Sequence, residues 1–427
     1  MMKNNFNKGT ICVQGGYKPN SGEPRILPIY QSTTYKYNDP DEVAALFDLK
    51  SEGHMYSRIS NPTVTAFEEK VNELEGGVGA LAVSSGQTAT ALSILNICKN
   101  GEHIVATSTL YGGTFSLLST TLKKFGINVT FVNPDASEEE ILSCFKDNTR
   151  AIFGETIGNP GLNILDFEKL ATVAKKKEVP FIVDNTLATP YLCNPIQHGA
   201  NIVIHSTTKY IDGHATSIGG IIIDGGNFNW DNGKYPDLTE PDPSYHGIKY
   251  VETFKSAAYI VKARVQLLRD LGACTSPFNA FLFNLGVETL HLRMERHSYN
   301  ALKLGQYLEN HEKVSWVSYP FLQSHSSYDL AKKYLPKGAS GILTFGIKGG
   351  VEAGKQFIRK LKLAALVVHL GDARTSVIHP ASTTHRQLNE EEQLASGVTS
   401  DLIRVSVGIE DIEDIIKDFN QALGNLD

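Results

Sequence analysis

Short apolar runs alternate with stretches of helical spacing from about residue 62 to residue 275 of the chain. Each run holds four or five residues, mostly Ile, Val, Ala and Phe, and few polar positions interrupt it. Strands that are buried on both faces have this composition, and intervening helices allow such strands to run parallel. The pattern therefore predicts a mostly parallel, doubly wound α/β sheet. The runs that we assign to strands are 80–84, 103–107, 129–132, 151–155, 181–184, 202–205 and 220–224.

Apolar residues at helical spacing fill the intervals between these strands. The predicted helices cover 65–75, 88–99, 114–125, 137–145 and 166–178, and one long helical stretch covers 277–310.

Two segments break this rhythm. Residues 1–60 are rich in Pro, Gly, Tyr and Ser and predict an irregular, extended arm, and residues 224–247 predict a long surface loop. We therefore divide the chain into an N-terminal arm (1–60), a large α/β domain (61–275) and a smaller C-terminal α+β domain (276–427).

The charge and cysteine content exclude several classes of protein. The net charge is −6, and the longest Lys/Arg run has three residues, so we expect no nucleic-acid or anionic membrane surface. No apolar run approaches the roughly 20 residues that span a bilayer. The polar N-terminus has no apolar core of a secretory signal. Five scattered cysteines without a C-x-x-C pair argue against disulfides and zinc, and for a cytoplasmic protein.

Two strand ends carry residues suited to chemistry at a sheet edge. Lys209 closely follows the strand at 202–205, where burial would lower its pKa and favour a Schiff-base nucleophile. A surface lysine in a loop is the other interpretation. Asp184 ends the strand at 181–184, and the carboxyl edge of an α/β sheet is where ligands bind. Its carboxylate could pair with a pyridinium nitrogen, cap a helix or form a salt bridge.

The segment 83–89 lies at a predicted strand-to-helix junction and is built from small residues. Its backbone N–H groups could bind a phosphate at the helix N-terminus, or the segment could be a simple capped turn. Tyr111, after the next strand, could stack on a flat ring or belong to the core. Ser206 and Lys209 also fit an S-x-x-K acylation motif, but its partner motifs S-D-N and K-T-G are absent.

Several segments together resemble the Cys/Met-metabolism family of pyridoxal-phosphate enzymes over nearly the whole chain. The resemblance implies the aspartate aminotransferase-like fold, fold type I, with a mostly parallel large domain and a smaller C-terminal domain. The segments that carry it are 56–63 (YSRISNPT), 155–161 (ETIGNPG), 205–210 (HSTTKY), 238–246 (LTEPDPSYH), 371–375 (GDART) and 379–385 (HPASTTH).

The resemblance also implies a role for individual residues. Lys209 would bind pyridoxal 5'-phosphate covalently and move protons, Tyr111 would stack on the ring, and Asp184 would pair with the pyridine nitrogen. Arg404 would bind the substrate α-carboxylate. The implied cofactor contacts are Tyr56, Arg58, Gly86, Gln87, Tyr111, Asp184, Thr186, Ser206, Thr208 and Lys209. The implied substrate contacts are Asn159, Thr375 and Arg404.

The same resemblance implies an assembly and an activity. Tyr56 and Arg58 would reach the phosphate of a neighbouring subunit, which makes a homodimer the minimal active unit and a homotetramer the expected form. The likeness is strongest to members that replace the acetate of O-acetyl-L-homoserine by sulfide or methanethiol, giving L-homocysteine or methionine. An activity of the cystathionine γ-synthase or methionine γ-lyase type stays open.

Overall fold

The structure of the protein is a computed structural model that describes residues 6–384, 386, 389, 391 and 397–426. His385, which ends the last of the segments named above, lies outside these residues.

The large domain is built on a seven-stranded sheet with the order β1-β7-β6-β5-β4-β2-β3 in the described part of the chain. β7 is antiparallel to both of its neighbours, and the other pairs of adjacent strands are parallel. The prediction of a mostly parallel α/β sheet is therefore confirmed. Its strands are β1 Gly79–Val83, β2 His103–Thr107, β3 Asn128–Val132, β4 Thr149–Glu155, β5 Phe181–Asp184, β6 Ile202–His205 and β7 Gly220–Asp224.

A second sheet lies in the C-terminal part of the chain and has five strands in the order β10-β11-β12-β9-β8 within the described residues. Its strands are β8 Val314–Ser318, β9 Ile342–Ile347, β10 Ala365–Leu366, β11 Ser376–Ile378 and β12 Leu402–Ser406. β9 pairs with β8 and β12, and these pairs are antiparallel. All strands of the first sheet precede residue 275 and all strands of the second follow it; the domain division at that residue stays a prediction.

Helices connect the strands and flank both sheets. They are α1 Lys8–Gln14, α2 Pro40–Phe47, α3 Pro62–Glu75, α4 Gly86–Leu95, α5 Gly112–Ser116, α6 Leu122–Lys124, α7 Glu138–Ser143, α8 Phe167–Lys176, α9 Thr189–Leu192, α10 Pro236–Thr239, α11 Tyr250–Phe254, α12 Ala258–Lys262, α13 Arg269–Leu271, α14 Pro277–Glu288, α15 Leu290–Glu309, α16 Tyr328–Tyr334, α17 Gly350–Lys360 and α18 Ile412–Gly424. Among the described residues, no helix combines the length and apolar character that crossing a membrane requires.

Helix α3 shows how local sequence sets an element and places a charged group. The Asn61 side chain accepts the Thr63 N–H (3.0 Å), and Pro62 occupies the first turn, so the helix begins earlier than its apolar spacing predicts. Gly76, in the left-handed conformation at φ 80°, ends it. The last residue of the helix, Glu75, is thereby buried against the large sheet, with its side chain fully shielded from solvent.

Three segments differ from their predicted form. The N-terminal arm contains α1 and α2, which are too short for apolar spacing to reveal. The loop at 224–247 contains α10 and a short 3₁₀ turn, and it buries Trp230, Tyr235 and Leu238 against the large domain. The stretch at 277–310 is two helices, α14 and α15, rather than one.

Candidate active site

The carboxyl ends of β4, β5 and β6 meet at one edge of the large sheet. Glu155 at the end of β4 lies directly opposite Asp184 at the end of β5. The loop that leaves β6 carries Ser206 and Lys209 past the same edge. The structure therefore brings together the two strand-end groups that the sequence singled out, at the edge where α/β sheets bind ligands.

Lys209 lies in a fixed turn after β6. Its N–H donates to the Ser206 carbonyl (3.2 Å), and its own carbonyl accepts the Gly213 N–H (2.8 Å). Burial, together with the positive charge of Arg404, lowers the pKa of the Lys209 ammonium to about 8. A substantial neutral fraction is therefore present near neutral pH, as a nucleophile or base requires.

Gly371 joins the smaller sheet to the Lys209 turn. It has φ +80°, and a Cβ at this position would lie 2.8 Å from the Tyr210 nitrogen and 3.1 Å from the Lys209 carbonyl carbon. Its N–H donates to the Ser406 hydroxyl of β12 (2.9 Å). Only glycine permits this close approach of backbones, and it brings β12 beside Lys209.

Arg404, on β12, supplies a second charge at this edge. Burial lowers the pKa of its guanidinium to about 10. Within the described residues, no carboxylate forms an ion pair with it. A half-buried guanidinium that no described carboxylate pairs with is suited to bind the carboxylate of a small molecule through two parallel hydrogen bonds.

Asp184 is held in one orientation by its own loop. Its Oδ1 accepts the Thr186 N–H (2.9 Å), and the Thr186 hydroxyl accepts the Ser206 N–H (2.8 Å). Burial raises the pKa of the Asp184 carboxyl, while the hydrogen bonds of Thr186 and the charge of His205 oppose that rise. Thr186 thus connects the Asp184 carboxylate to the loop that carries Lys209.

Glu155 is a site residue whose role the sequence reasoning missed. It is buried, and its Oε1 accepts the Tyr111 N–H (2.8 Å) at the start of α5. Burial raises the pKa of the Glu155 carboxyl well above its usual range, and the neighbouring Asp184 charge adds to this. Of the two carboxyls, Glu155 is therefore the one that burial shifts more strongly toward its acid form, and it fixes the backbone of Tyr111.

A cradle for an anion lies at the N-terminus of α4. The first N–H groups of a helix have no partner within it, and here they belong to Gly86 and Gln87. A Cβ on Gly86 would lie only 2.6 Å from the Ser206 Cβ, so the two loops meet at this point. The Gln87 Oε1 is buried without a hydrogen-bond partner in the described structure. Thr208, from the other loop, exchanges hydrogen bonds with Gly219 (3.0 and 3.2 Å).

These residues fit pyridoxal phosphate. The anion cradle suits its phosphate, and Asp184 suits its pyridine nitrogen. Lys209 suits its aldehyde, and the Tyr111 ring, 52% exposed at this edge, is free to stack on it.

Two further residues, Asn159 and Thr375, are predicted from the sequence to contact the substrate. Asn159 is buried after β4. The Thr375 hydroxyl is already engaged: it donates to the Glu410 carboxylate (2.9 Å) and accepts the Gly408 N–H (2.9 Å). It therefore fixes the strand end beyond Arg404, and its substrate contact stays a prediction.

Tyr56 and Arg58 line a separate cavity of about 550 Å³ together with Phe47 and Arg269. The Arg58 guanidinium lies 5.2 Å from the Tyr56 ring centroid and donates to the Arg269 carbonyl. Neither has a hydrogen bond to Lys209, Asp184 or the α4 cradle among the described residues.

Comparison with known proteins assigns the fold and the family. The family model described as Cys/Met metabolism PLP-dependent enzyme matches residues 9–424. O-acetyl-L-homoserine sulfhydrylase of Leptospira meyeri is 51% identical over 100% of this chain and 98% of its own. Homocysteine synthase of Schizosaccharomyces pombe is 48% identical over 97% of each chain.

A similar solved structure is a Campylobacter jejuni protein assigned as an O-acetylhomoserine (thiol)-lyase, with a lysine that carries a pyridoxyl phosphate group. It is 38% identical, covers 98% of this chain and 100% of its own, and has a TM-score of 0.95. The fold is therefore the fold type I architecture, and the cofactor is pyridoxal phosphate. The chain belongs to the Cys/Met-metabolism family of PLP-dependent enzymes, as its sequence motifs indicate.

Proposed function

We propose that the protein catalyses γ-replacement at O-acetyl-L-homoserine by sulfide, which yields L-homocysteine and acetate. The observation that carries the proposal is the 51% identity, over the whole chain, to a protein named O-acetyl-L-homoserine sulfhydrylase. The Arg404 guanidinium lies beside Lys209 and forms no ion pair with the described carboxylates, which supports an α-amino-acid substrate because it provides a site for the α-carboxylate.

The protein's residues divide the work of this reaction. Arg404 binds the α-carboxylate, and Asn159 and Thr375 complete the substrate site. Lys209, partly neutral, removes the proton from Cα and then assists loss of a proton from Cβ. Bound pyridoxal phosphate supplies the electron sink that makes these protons acidic. Acetate leaves from Cγ with its bonding electron pair, and the sulfur of H₂S forms the new bond there while one of its protons is released. Lys209 then returns a proton to Cβ and to Cα, which restores the saturated chain of L-homocysteine.

The remaining residues hold the cofactor in place for this chemistry. Asp184 holds the pyridine nitrogen, and Thr186 orients Asp184. Tyr111 covers one face of the cofactor ring. It also contributes to catalysis, on the side of the ring where Lys209 lies. The phosphate is bound by the α4 N-terminus and the loop after β6, through Gly86, Gln87, Ser206 and Thr208.

A matrix of donors and thiols tests the proposal. Purified protein would be assayed with O-acetyl-L-homoserine, O-succinyl-L-homoserine and L-methionine, each with sulfide, methanethiol and L-cysteine. We expect the highest kcat/KM for O-acetyl-L-homoserine with sulfide. A preference for L-cysteine as acceptor would instead indicate a cystathionine γ-synthase. If the highest kcat/KM is instead found for release of methanethiol from L-methionine without an added thiol, the protein is a methionine γ-lyase.

The role of Glu155 gives a prediction with a matched pair of variants. Glu155→Gln should leave kcat/KM close to wild type, because glutamine is neutral, like the acid form that burial favours, and keeps an acceptor for the Tyr111 N–H. Glu155→Ala should lower kcat/KM about 10-fold, since a buried N–H is left unsatisfied and Tyr111 loses its anchor. The kcat/KM of both variants, measured by steady-state kinetics, tests this expectation. Equal damage in both would show that Glu155 acts as an anion.

We further propose that Tyr56 and Arg58 serve the active site of a neighbouring subunit, in a homodimer that pairs into a homotetramer. Both residues line a cavity of their own and have no hydrogen bond to Lys209 in the part of the chain that the structure describes, which supports this. A guanidinium on the N-terminal arm suits a phosphate across an interface. We place the protein in the cytoplasm, which agrees with its five free thiols.

Subunit complementation tests the shared site. Arg58→Ala and Lys209→Ala proteins, each inactive, would be unfolded together and refolded. With random pairing, half of the dimers are mixed and each has one intact site, so roughly a quarter of wild-type activity should return. Each variant refolded alone should stay inactive. If subunit exchange is verified and no activity returns, Arg58 serves its own subunit.

A further inference from the structure

One arginine joins the N-terminal arm to the large domain. Arg264 donates through Nη1 to the carbonyl of Ile59 (3.0 Å), which is the residue after Arg58. Its Nη2 donates to the Glu68 carboxylate of α3 (2.7 Å) and to the Ala80 carbonyl of β1 (2.8 Å). The guanidinium therefore connects the arm, a helix and the large sheet through three hydrogen bonds.

The Glu68 carboxylate fixes the direction of this guanidinium. The Glu68 side chain is only 5% exposed, and its Oε2 accepts from Arg264. Its Oε1 accepts the Ala82 N–H of β1 (2.7 Å). Because both carboxylate oxygens are engaged, α3 and β1 together determine where the Arg264 guanidinium lies.

Arg264 belongs to a π-helical segment, Ala263–Leu268, that directly follows α12. Such segments are rare, and they occur frequently at functional sites. Their hydrogen bonds join residues five apart, and here the Arg269 N–H donates to the Arg264 carbonyl. The Arg269 carbonyl in turn accepts from the Arg58 guanidinium. One turn of the π-helix therefore contacts the arm at two consecutive residues, Arg58 and Ile59.

The Arg58 guanidinium keeps donors for a second acceptor. Among the described residues, only its Nη1 has a hydrogen bond, to the Arg269 carbonyl. A guanidinium has five N–H donors in a fixed fork, so the remaining donors are available to a phosphate. A side chain that is held in place beforehand loses less conformational entropy when it binds.

We propose that Arg264 is a positioning residue that holds the arm at Ile59 and thereby presents Arg58 to the cofactor phosphate of the neighbouring subunit. The inference rests on the proposed shared site. Arg264 acts through Arg58, and not through Lys209 of its own chain.

Cofactor affinity tests whether Arg264 acts through Arg58. Apoproteins of wild type, Arg264→Ala, Arg58→Ala and the double variant would be titrated with pyridoxal phosphate. We expect Arg264→Ala to raise the Kd about 10-fold, because Arg58 is no longer held in place. The double variant should bind no more weakly than Arg58→Ala alone, since both changes remove the same phosphate contact. Effects that multiply would show that Arg264 acts independently of Arg58 and would overturn the inference.

Subunit complementation gives a second readout, which a merely structural role would not produce. Refolding Arg264→Ala with Lys209→Ala should restore roughly a quarter of wild-type activity, as for Arg58→Ala. Refolding Arg264→Ala with Arg58→Ala should give no gain over the separate variants, because both arms are then defective. If Arg264 supports only the site of its own subunit, the two mixtures exchange their results, and the inference is contradicted.

Arg150→Ala is the matched control. Arg150 also pairs with a buried carboxylate, that of Glu102 (2.7 Å), and donates to the Asp147 carbonyl (3.4 Å). It lies at the start of β4, at the opposite edge of the sheet from the site, so it should keep the wild-type Kd and activity. Circular dichroism of each apoprotein would verify folding. Arg264→Lys, which keeps the charge but lacks the fork that joins Ile59 to the sheet, carries both tests if Arg264→Ala does not fold.

The outcomes separate this inference from the proposed shared site. If Arg58→Ala and Lys209→Ala do not complement each other, the shared site fails and the inference fails with it. If they do complement each other and Arg264→Ala damages only its own subunit, the role of Arg264 alone fails. Neither outcome depends on which ester or thiol the enzyme prefers.

Discussion

Replacing Lys209 by alanine should lower kcat by at least about 10³-fold, with cofactor binding still measurable. The methyl group can neither bond covalently to the cofactor nor take a proton from Cα. The anion cradle at the start of α4 and the Asp184 carboxylate remain, so noncovalent binding persists. Steady-state kinetics gives the loss of turnover, and the visible absorbance of lysine-bound cofactor should disappear.

Lys262→Ala provides the control for removing a buried lysine. Lys262 lies at the end of α12, is 3% exposed, and donates to the Asn96 carbonyl (3.0 Å), remote from the sheet edge. This variant should lose stability and keep a kcat close to wild type. Retention of a tenth or more of wild-type kcat by Lys209→Ala would remove Lys209 from its proposed role.

Asp184→Asn is expected to lower kcat about 10²-fold, while the protein still folds. Asparagine has the size of aspartate and keeps an oxygen to accept the Thr186 N–H, so the loop geometry survives. The negative charge is lost, and the ring nitrogen is no longer held in its protonated form. Electron withdrawal from Cα is then weaker, and kcat should fall more than KM rises.

Asp224→Asn is the matched control for this change. Asp224 ends β7, and burial raises the pKa of its carboxyl to about 7. Because β7 is antiparallel to β6, this residue lies at the opposite edge of the sheet from Asp184. It accepts the Gly226 N–H (2.9 Å), a bond that asparagine preserves. The kcat of Asp224→Asn should equal that of wild type. If the kcat of Asp184→Asn falls less than tenfold, Asp184 is a structural carboxylate.

The sequence predicted those site residues whose positions depend on a single strand and the turn that follows it. Asp184 ends a short apolar strand, Lys209 and Gly86 follow two others, and the parallel arrangement of these strands brings such ends to one edge. Four strands, β2, β5, β6 and β7, begin and end where the apolar runs do. Short strands buried on both faces leave little freedom for a shift of their ends.

Contacts between residues distant in the chain could not be predicted in this way. Glu155 and Tyr111 are 44 residues apart in the sequence. Glu75 and His205, whose buried side chains lie 2.6 Å apart, are separated by 130 residues. Their partners are fixed only when helices pack on the sheet, and no spacing in the sequence records that packing. The motif beginning at Glu155 pointed to the right segment, but it did not reveal which atom that carboxyl meets.

The close contact at Gly371 limits how this enzyme can acquire new substrates. Lys209 and Arg404 are proposed to hold the two ends of the amino-acid moiety. They come from segments next to different sheets, and the backbones of these segments approach closely at this glycine. No side chain fits at position 371, since even a methyl group would lie 2.8 Å from the Tyr210 nitrogen. Divergence toward other leaving groups or nucleophiles must therefore act on loops beyond this close contact, while the amino-acid end of the substrate stays invariant.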